Sequence, residues 1–180
     1  MLRRLIAALA ANWLTIRVVG AFVLLIVVFF SALTYTPIVK HFDVAALIAQ
    51  LAAWMSWVLL KMLGLFVGFD ISKNGTILGS GPFEVDVSPA CSGAVPTMIY
   101  MAAVFAYPAK WRAKAIGALL GMAVIHTVNV IRVSSLFLIG LYFHRLFHET
   151  HVYVAQALVV AIAVATWLYW AGRFADAPGR

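Results

Sequence analysis

The sequence predicts an all-α integral membrane protein of about four to five transmembrane or interfacial helices with a small extracytoplasmic β-hairpin. Three observations predict it. The chain has 180 residues, 65% of them hydrophobic and 11% charged, where soluble domains average about 45 to 50% apolar and about 25% charged; its mean hydropathy is +1.03. Its apolar residues gather in runs of about 20, the length a helix needs to cross roughly 30 Å of hydrocarbon. All its basic residues except Lys61 and Arg132 fall outside those runs. Such a composition excludes a water-soluble enzyme. The 13 Lys and Arg against 6 Asp and Glu leave a net charge of +7, which nucleic acid would attract, but no basic stripe with interleaved aromatics accompanies it, so no nucleic-acid partner is expected. The excess reads as membrane topology, with the lipid bilayer as the partner. A chain of this length allows one domain, 1–180, and no separate soluble module.

Arg3 and Arg4 precede an apolar stretch as in a signal peptide, but Arg17 interrupts it and no A-x-A-like site follows Phe30, so the start reads as an uncleaved anchor. Residues 18–36 (VVGAFVLLIVVFFSALTYT), ended by Pro37, form the first span. Residues 44–68 are apolar enough to span, yet Gln50, Trp54, Trp57 and Lys61 recur at i, i+4, i+7 and i+11 and share one helix face, as an interfacial helix would. In 69–90, Asn74-Gly75 and Gly79-Ser80-Gly81-Pro82 are turn signals beside the alternating FEVDV, which predicts a hairpin laid on the membrane. Residues 91–107 read as the second span, stopped by Pro108 and the basic loop 110–114; 115–138 make the third. The fourth covers 152–170, with Trp167 and Trp170 as an interfacial anchor.

Charge decides whether 44–68 crosses. If it does not, one side carries eight basic residues (Arg3, Arg4, Arg17, Lys110, Arg112, Lys114, Arg173, Arg180) and the other only Lys40, Lys73 and Arg145. If it does, the asymmetry falls to five against six. The positive-inside rule favours the first arrangement, with both termini and the 110–114 loop in the cytoplasm and 69–90 outside.

That topology gathers three polar residues. Arg132 lies 17 residues into the third span, about 25 Å up from the cytoplasmic face. Cys91 opens the second span at the same outer surface, and His151 immediately precedes the fourth. A lone cysteine excludes an intramolecular disulfide and any CxxC motif. From residue type alone it is a small buried hydrophobe; at a helix amino terminus beside a guanidinium or imidazolium, a thiol instead becomes a nucleophile. Ser92 and Gly93 allow close backbone approach, and the N–H groups of that turn are placed to bind an oxyanion. Arg132 costs at least about 2.5 to 3.5 kcal/mol if left unpaired at mid-membrane, so it reads as functional rather than as a snorkelling side chain. Asn129 and His126, at i−3 and i−6, extend it into a polar stripe that must face protein or water; His126 reads equally as a partner of the site or as a structural interhelical donor. His144, His148 and His151 are three of the five histidines, but carboxylate and thiolate partners at ligand spacing are missing, so no metal is expected. As acid or base His151 is favoured by its place at the mouth of the last helix, with His148 the substitute and His41 a remote one.

PACSG at the start of a membrane helix, NVIR within the next and HVYVAQ opening the last resemble the exosortase and archaeosortase family of membrane cysteine transpeptidases. The resemblance runs over about 47–170, takes in LLKMLG, GTIL, FEVDV and AYPAKW, and is nearest to the short, core-only members of the exosortase H type. It implies cleavage of carboxy-terminal sorting signals, each a short motif, a transmembrane helix and a basic tail, on exported proteins at the bacterial inner membrane, with the active site on the extracytoplasmic side. Cys91 would form the thioester, Arg132 would stabilise the oxyanion or the thiolate, and His151 would protonate the leaving amine. The acyl group would pass to an envelope acceptor, with no metal or cofactor. Two rivals stand beside it. One is a non-enzymatic assembly subunit or small transporter using Arg132 and Asn129 as a polar binding site. The other is an intramembrane serine protease drawing on Ser88, Ser92, Ser134 or Ser135, although no GxSxG-like elbow is present.

Overall fold

The computed structural model describes residues 12–34, 43–143 and 155–175. In chain order these form α1 (Trp13–Thr34), α2 (Val44–Val67), β1 (Ser72–Asn74), β2 (Ile77–Ser80), β3 (Phe83–Asp86), a 3₁₀ turn (Pro89–Cys91), α3 (Ala94–Ala106), α4 (Trp111–Tyr142) and α5 (Ala155–Arg173). The architecture is mostly helical with one small antiparallel sheet, as the composition requires. By length and composition α1, α2 and α4 are each able to cross a membrane, and the chain is an integral membrane protein. Large apolar side chains cover the outside of all five helices, Leu24 on α1, Leu65 and Phe66 on α2 and Leu168 on α5 among them, as lipid contact demands.

Helix α4 is the central post. On its carboxy-terminal half, α2 lays Ala52, Ala53 and Leu60 against Val133 and Phe137, and the sheet adds Leu78 with the flanking Ile71 and Val87. The small residues of α2 (Ala49, Ala52, Ala53, Ser56, Gly64) form the buried stripe, which lets the two helices approach closely. Asp43 accepts from the Ala46 amide at 2.8 Å to start α2, and Gly68, at φ +83°, ends it. On the expected polar face of α2, Gln50, Trp54 and Lys61 are exposed. Trp57 is only half exposed: its Nε1 donates to the Ile71 carbonyl at 3.3 Å, and the Lys61 ammonium sits 4.9 Å from its ring centroid.

The amino-terminal half of α4 carries a buried stripe of Ala113, Gly117 and Gly121. Two aromatic side chains fill the space left by the absent Cβ atoms: Trp170 of α5 lies against Gly117 and Tyr100 of α3 against Gly121. Each also finds a backbone acceptor there. Trp170 Nε1 donates to the Ala113 carbonyl at 2.7 Å, and the Tyr100 hydroxyl donates to the Gly117 carbonyl at 3.1 Å. A small-xxx-small stripe that elsewhere brings helices together is therefore occupied by the chain's own aromatics.

Four expectations are corrected in detail. The expected hairpin is part of a three-stranded antiparallel sheet in the order β1-β2-β3. Gly75 (φ +61°) and Gly81 (φ +58°) turn the chain, but Gly79 and Ser80 belong to β2, where Gly79 pairs with Ser72 and Glu84 and Ser80 pairs with Phe83. The second helix starts at Ala94, not Cys91, because Gly93 takes the left-handed conformation at φ +85°. The third helix runs from Trp111 to Tyr142, since Lys114, read as loop, is helical and donates to the Phe105 carbonyl at 2.6 Å. Trp170 is fully buried rather than an interfacial anchor; Trp167, half-buried, packs edge-on to Tyr107 at 5.7 Å.

Candidate active site

The 3₁₀ turn and the short α3 place Cys91. Helix α3 has 13 residues, a rise of about 20 Å, less than the roughly 30 Å of hydrocarbon. Irregular backbone beside it survives only if its polar groups are satisfied by protein, and here they are. The Cys91 amide donates to the Ser88 carbonyl at 2.9 Å. The Ser92 hydroxyl donates to the Pro89 carbonyl at 2.7 Å and accepts from the Ala94 amide at 3.3 Å, so Ser92 shapes the turn and caps α3. The Thr97 hydroxyl donates to the Gly93 carbonyl at 2.8 Å. Cys91 itself, at the end of the turn, is half-buried.

Facing the turn is the carboxy-terminal half of α4. Asn129 is completely buried; its Nδ2 donates to the Cys91 carbonyl at 3.1 Å. Gly93 sits directly over it, since a Cβ there would lie 3.2 Å from Asn129 Cγ. One turn further along, Arg132 is 7% exposed, and its Nη1 approaches Asn129 Oδ1 at 3.5 Å. The guanidinium lies within electrostatic reach of the Cys91 sulfur, while its Nε has no hydrogen-bond partner among the described residues. A buried cation with an unused Nε donor, held against the cysteine turn through Asn129, offers a donor to an oxygen that gains charge.

The structure thus brings together Cys91, Ser92, Gly93, Asn129 and Arg132. His126 stands further down α4, its Nε2 3.5 Å from Thr97 Oγ1, and so touches α3 rather than Arg132. Neither His151 nor His148 is among the described residues, and the same holds for His144 and His41. Sequence reasoning missed Thr97, which links His126 to the Gly93 carbonyl. A threonine in an apolar helix gives little signal, because it ordinarily bonds its own i−4 carbonyl, as Thr166 also does to Ile162 at 2.7 Å. It missed Ser56 as well, whose buried hydroxyl lacks a partner among the described residues.

The sequence model of one protein family, described as transmembrane exosortase, matches residues 2–170. No curated protein and no solved structure matches the chain.

Proposed function

The chain belongs to the transmembrane exosortase family, and from that premise we propose that it is a membrane cysteine transpeptidase that cleaves the carboxy-terminal sorting signals of exported proteins. The observation that carries the reading is the buried guanidinium of Arg132, joined through Asn129 to the backbone of Cys91 and with an Nε donor unused among the described residues. A cation kept at this depth costs several kcal/mol unless it serves an anion, and a thiolate or an acyl oxyanion is the anion this site would make.

In the proposed cycle the Cys91 thiolate adds to the carbonyl carbon of the scissile peptide, and Arg132 holds the oxygen that becomes negative. The C–N bond then breaks. The departing amine takes a proton from the His151 imidazolium, and the amino-terminal part of the substrate is left as a thioester on Sγ. An acceptor amine or water adds to the thioester carbon, its proton passes to His151, and the C–S bond breaks to restore thiolate and imidazolium. The half-buried position of the sulfur suits a substrate whose own transmembrane helix stays in the bilayer while its scissile bond reaches the outer side of the inner membrane.

Co-expression of an exported protein bearing such a signal, followed by immunoblot, tests this reading. Wild type shortens the substrate; Cys91→Ala, whose methyl group sits between Ala90 and Ala94, inserts normally and does not. Equal processing by both proteins would remove the cysteine mechanism and return the non-enzymatic reading of Arg132 and Asn129.

A further inference from the structure

Taking the transpeptidase reading as its basis, we propose that Asn129 is a positioning residue that locks the nucleophile turn to the guanidinium, and that only an amide at this position can do so. The two partners dictate the requirement. The Cys91 carbonyl can only accept a hydrogen bond and Arg132 can only donate one. Nδ2 must therefore face Cys91, at 3.1 Å, and Oδ1 must face Arg132, at 3.5 Å; the flipped amide would set donor against donor and acceptor against acceptor. A carboxylate of the same shape satisfies Arg132 but points a second acceptor at the Cys91 carbonyl. An aliphatic side chain of the same size satisfies neither.

Two further observations fit this role. Asn129 is fully buried, where an amide is retained only with its partners made. Gly93, between the cysteine and α3, leaves just the room that Asn129 occupies, with 3.2 Å between its would-be Cβ and Asn129 Cγ. The cysteine turn on one element and the Asn-x-x-Arg turn on α4 are thus one mechanical unit: Asn129 sets where Arg132 stands relative to Sγ, although its side-chain bond runs to the cysteine's backbone and not to its sulfur.

The test reads the field at the sulfur and needs no turnover. Cys91 is the only cysteine, so the full chain in membranes reports its reaction with an anionic (sulfonatoethyl) and a cationic (trimethylammonioethyl) methanethiosulfonate, each rate normalised to that of a small free thiol. Wild type favours the anionic reagent; Arg132→Gln removes the preference. Asn129→Leu is expected to lower the preference by at least about five-fold, since a released guanidinium moves away from the sulfur. Asn129→Leu combined with Arg132→Gln is expected to do no more than Arg132→Gln alone. An unchanged preference in Asn129→Leu, or an additive loss in the double variant, would overturn the proposal. If Asn129→Leu does not insert, Asn129→Ser removes the bridge with a smaller change and carries the same expectation and the same contradiction. In the processing assay Asn129→Asp is expected to fall at least about ten-fold, and wild-type processing would likewise overturn the requirement for an amide. Failure of the transpeptidase reading looks different: wild type itself then processes nothing, while the reagent preference still reports whether Asn129 holds Arg132.

Discussion

At the scale of single residues, the account depends on a thiol, a guanidinium and the glycine between them and the helix. Cys91→Ser is expected to be nearly as inactive in processing as Cys91→Ala, because a hydroxyl is a far weaker nucleophile near neutral pH. Arg132→Lys is expected to lose at least about ten-fold in processing rate, since a point charge on a flexible stem does not reproduce a planar fork held by Asn129; full activity would reduce Arg132 to a requirement for charge. Gly93→Ala meets two obstacles, φ +85° and Asn129 Cγ at 3.2 Å. Strain of about 1 to 3 kcal/mol is expected there, seen as slowed processing by a chain that still inserts. Much of this site was legible in the sequence, because Arg132, Asn129 and His126 fall on one helical face and a charge in an apolar run demands a partner. Which partner was not legible. That the Asn129 amide meets the Cys91 carbonyl depends on the left-handed turn at Gly93, and the residue sequence Cys-Ser-Gly is equally compatible with a helix starting at the cysteine.

At the scale of elements, the three-helix seam along the amino-terminal half of α4 is the most specific feature. A side chain at Gly117 or Gly121 collides with a ring, Trp170 or Tyr100, that is itself buried and hydrogen-bonded. Gly121→Val is therefore expected to lower the thermal unfolding midpoint of the detergent-solubilised protein, by the equivalent of about 1 to 3 kcal/mol of overpacking. Gly20→Val on α1, where no atom lies within 4 Å, is the control and is expected to change little. The apolar runs made all five described helices legible, since a chain in lipid must close its backbone hydrogen bonds within each segment. Their ends were less legible. Pro108 does mark the end of α3, with Tyr107 extended at ψ 137°, but Arg112 and Lys114, read as loop by their charge, continue into α4, where Lys114 satisfies a carbonyl of the neighbouring helix. The strand the sequence does not show is β1, whose Ser72, Lys73 and Asn74 are polar and all exposed, with none of the apolar alternation that FEVDV carries.

At the scale of the whole molecule, the basic residues should set the orientation. In a Cys91→Ala background, Asn74→Cys at the end of β1 is expected to react with an impermeant maleimide in intact cells, and Lys110→Cys only after permeabilisation. The reverse pattern would invert the topology and move the site to the cytoplasmic face. Helix α2, long enough to cross, is placed by the same approach with cysteines near its two ends, since labelling at one end alone from outside means a crossing. The central claim is that the sulfur of Cys91 carries the acyl group, and intact-mass analysis of the purified enzyme after co-expression with a sorting-signal substrate tests it most directly. An adduct equal in mass to the amino-terminal substrate fragment less one water is expected on wild type, absent on Cys91→Ala and released by neutral hydroxylamine. A substrate that is shortened equally by Cys91→Ala, with no hydroxylamine-sensitive adduct on the wild type, would contradict it.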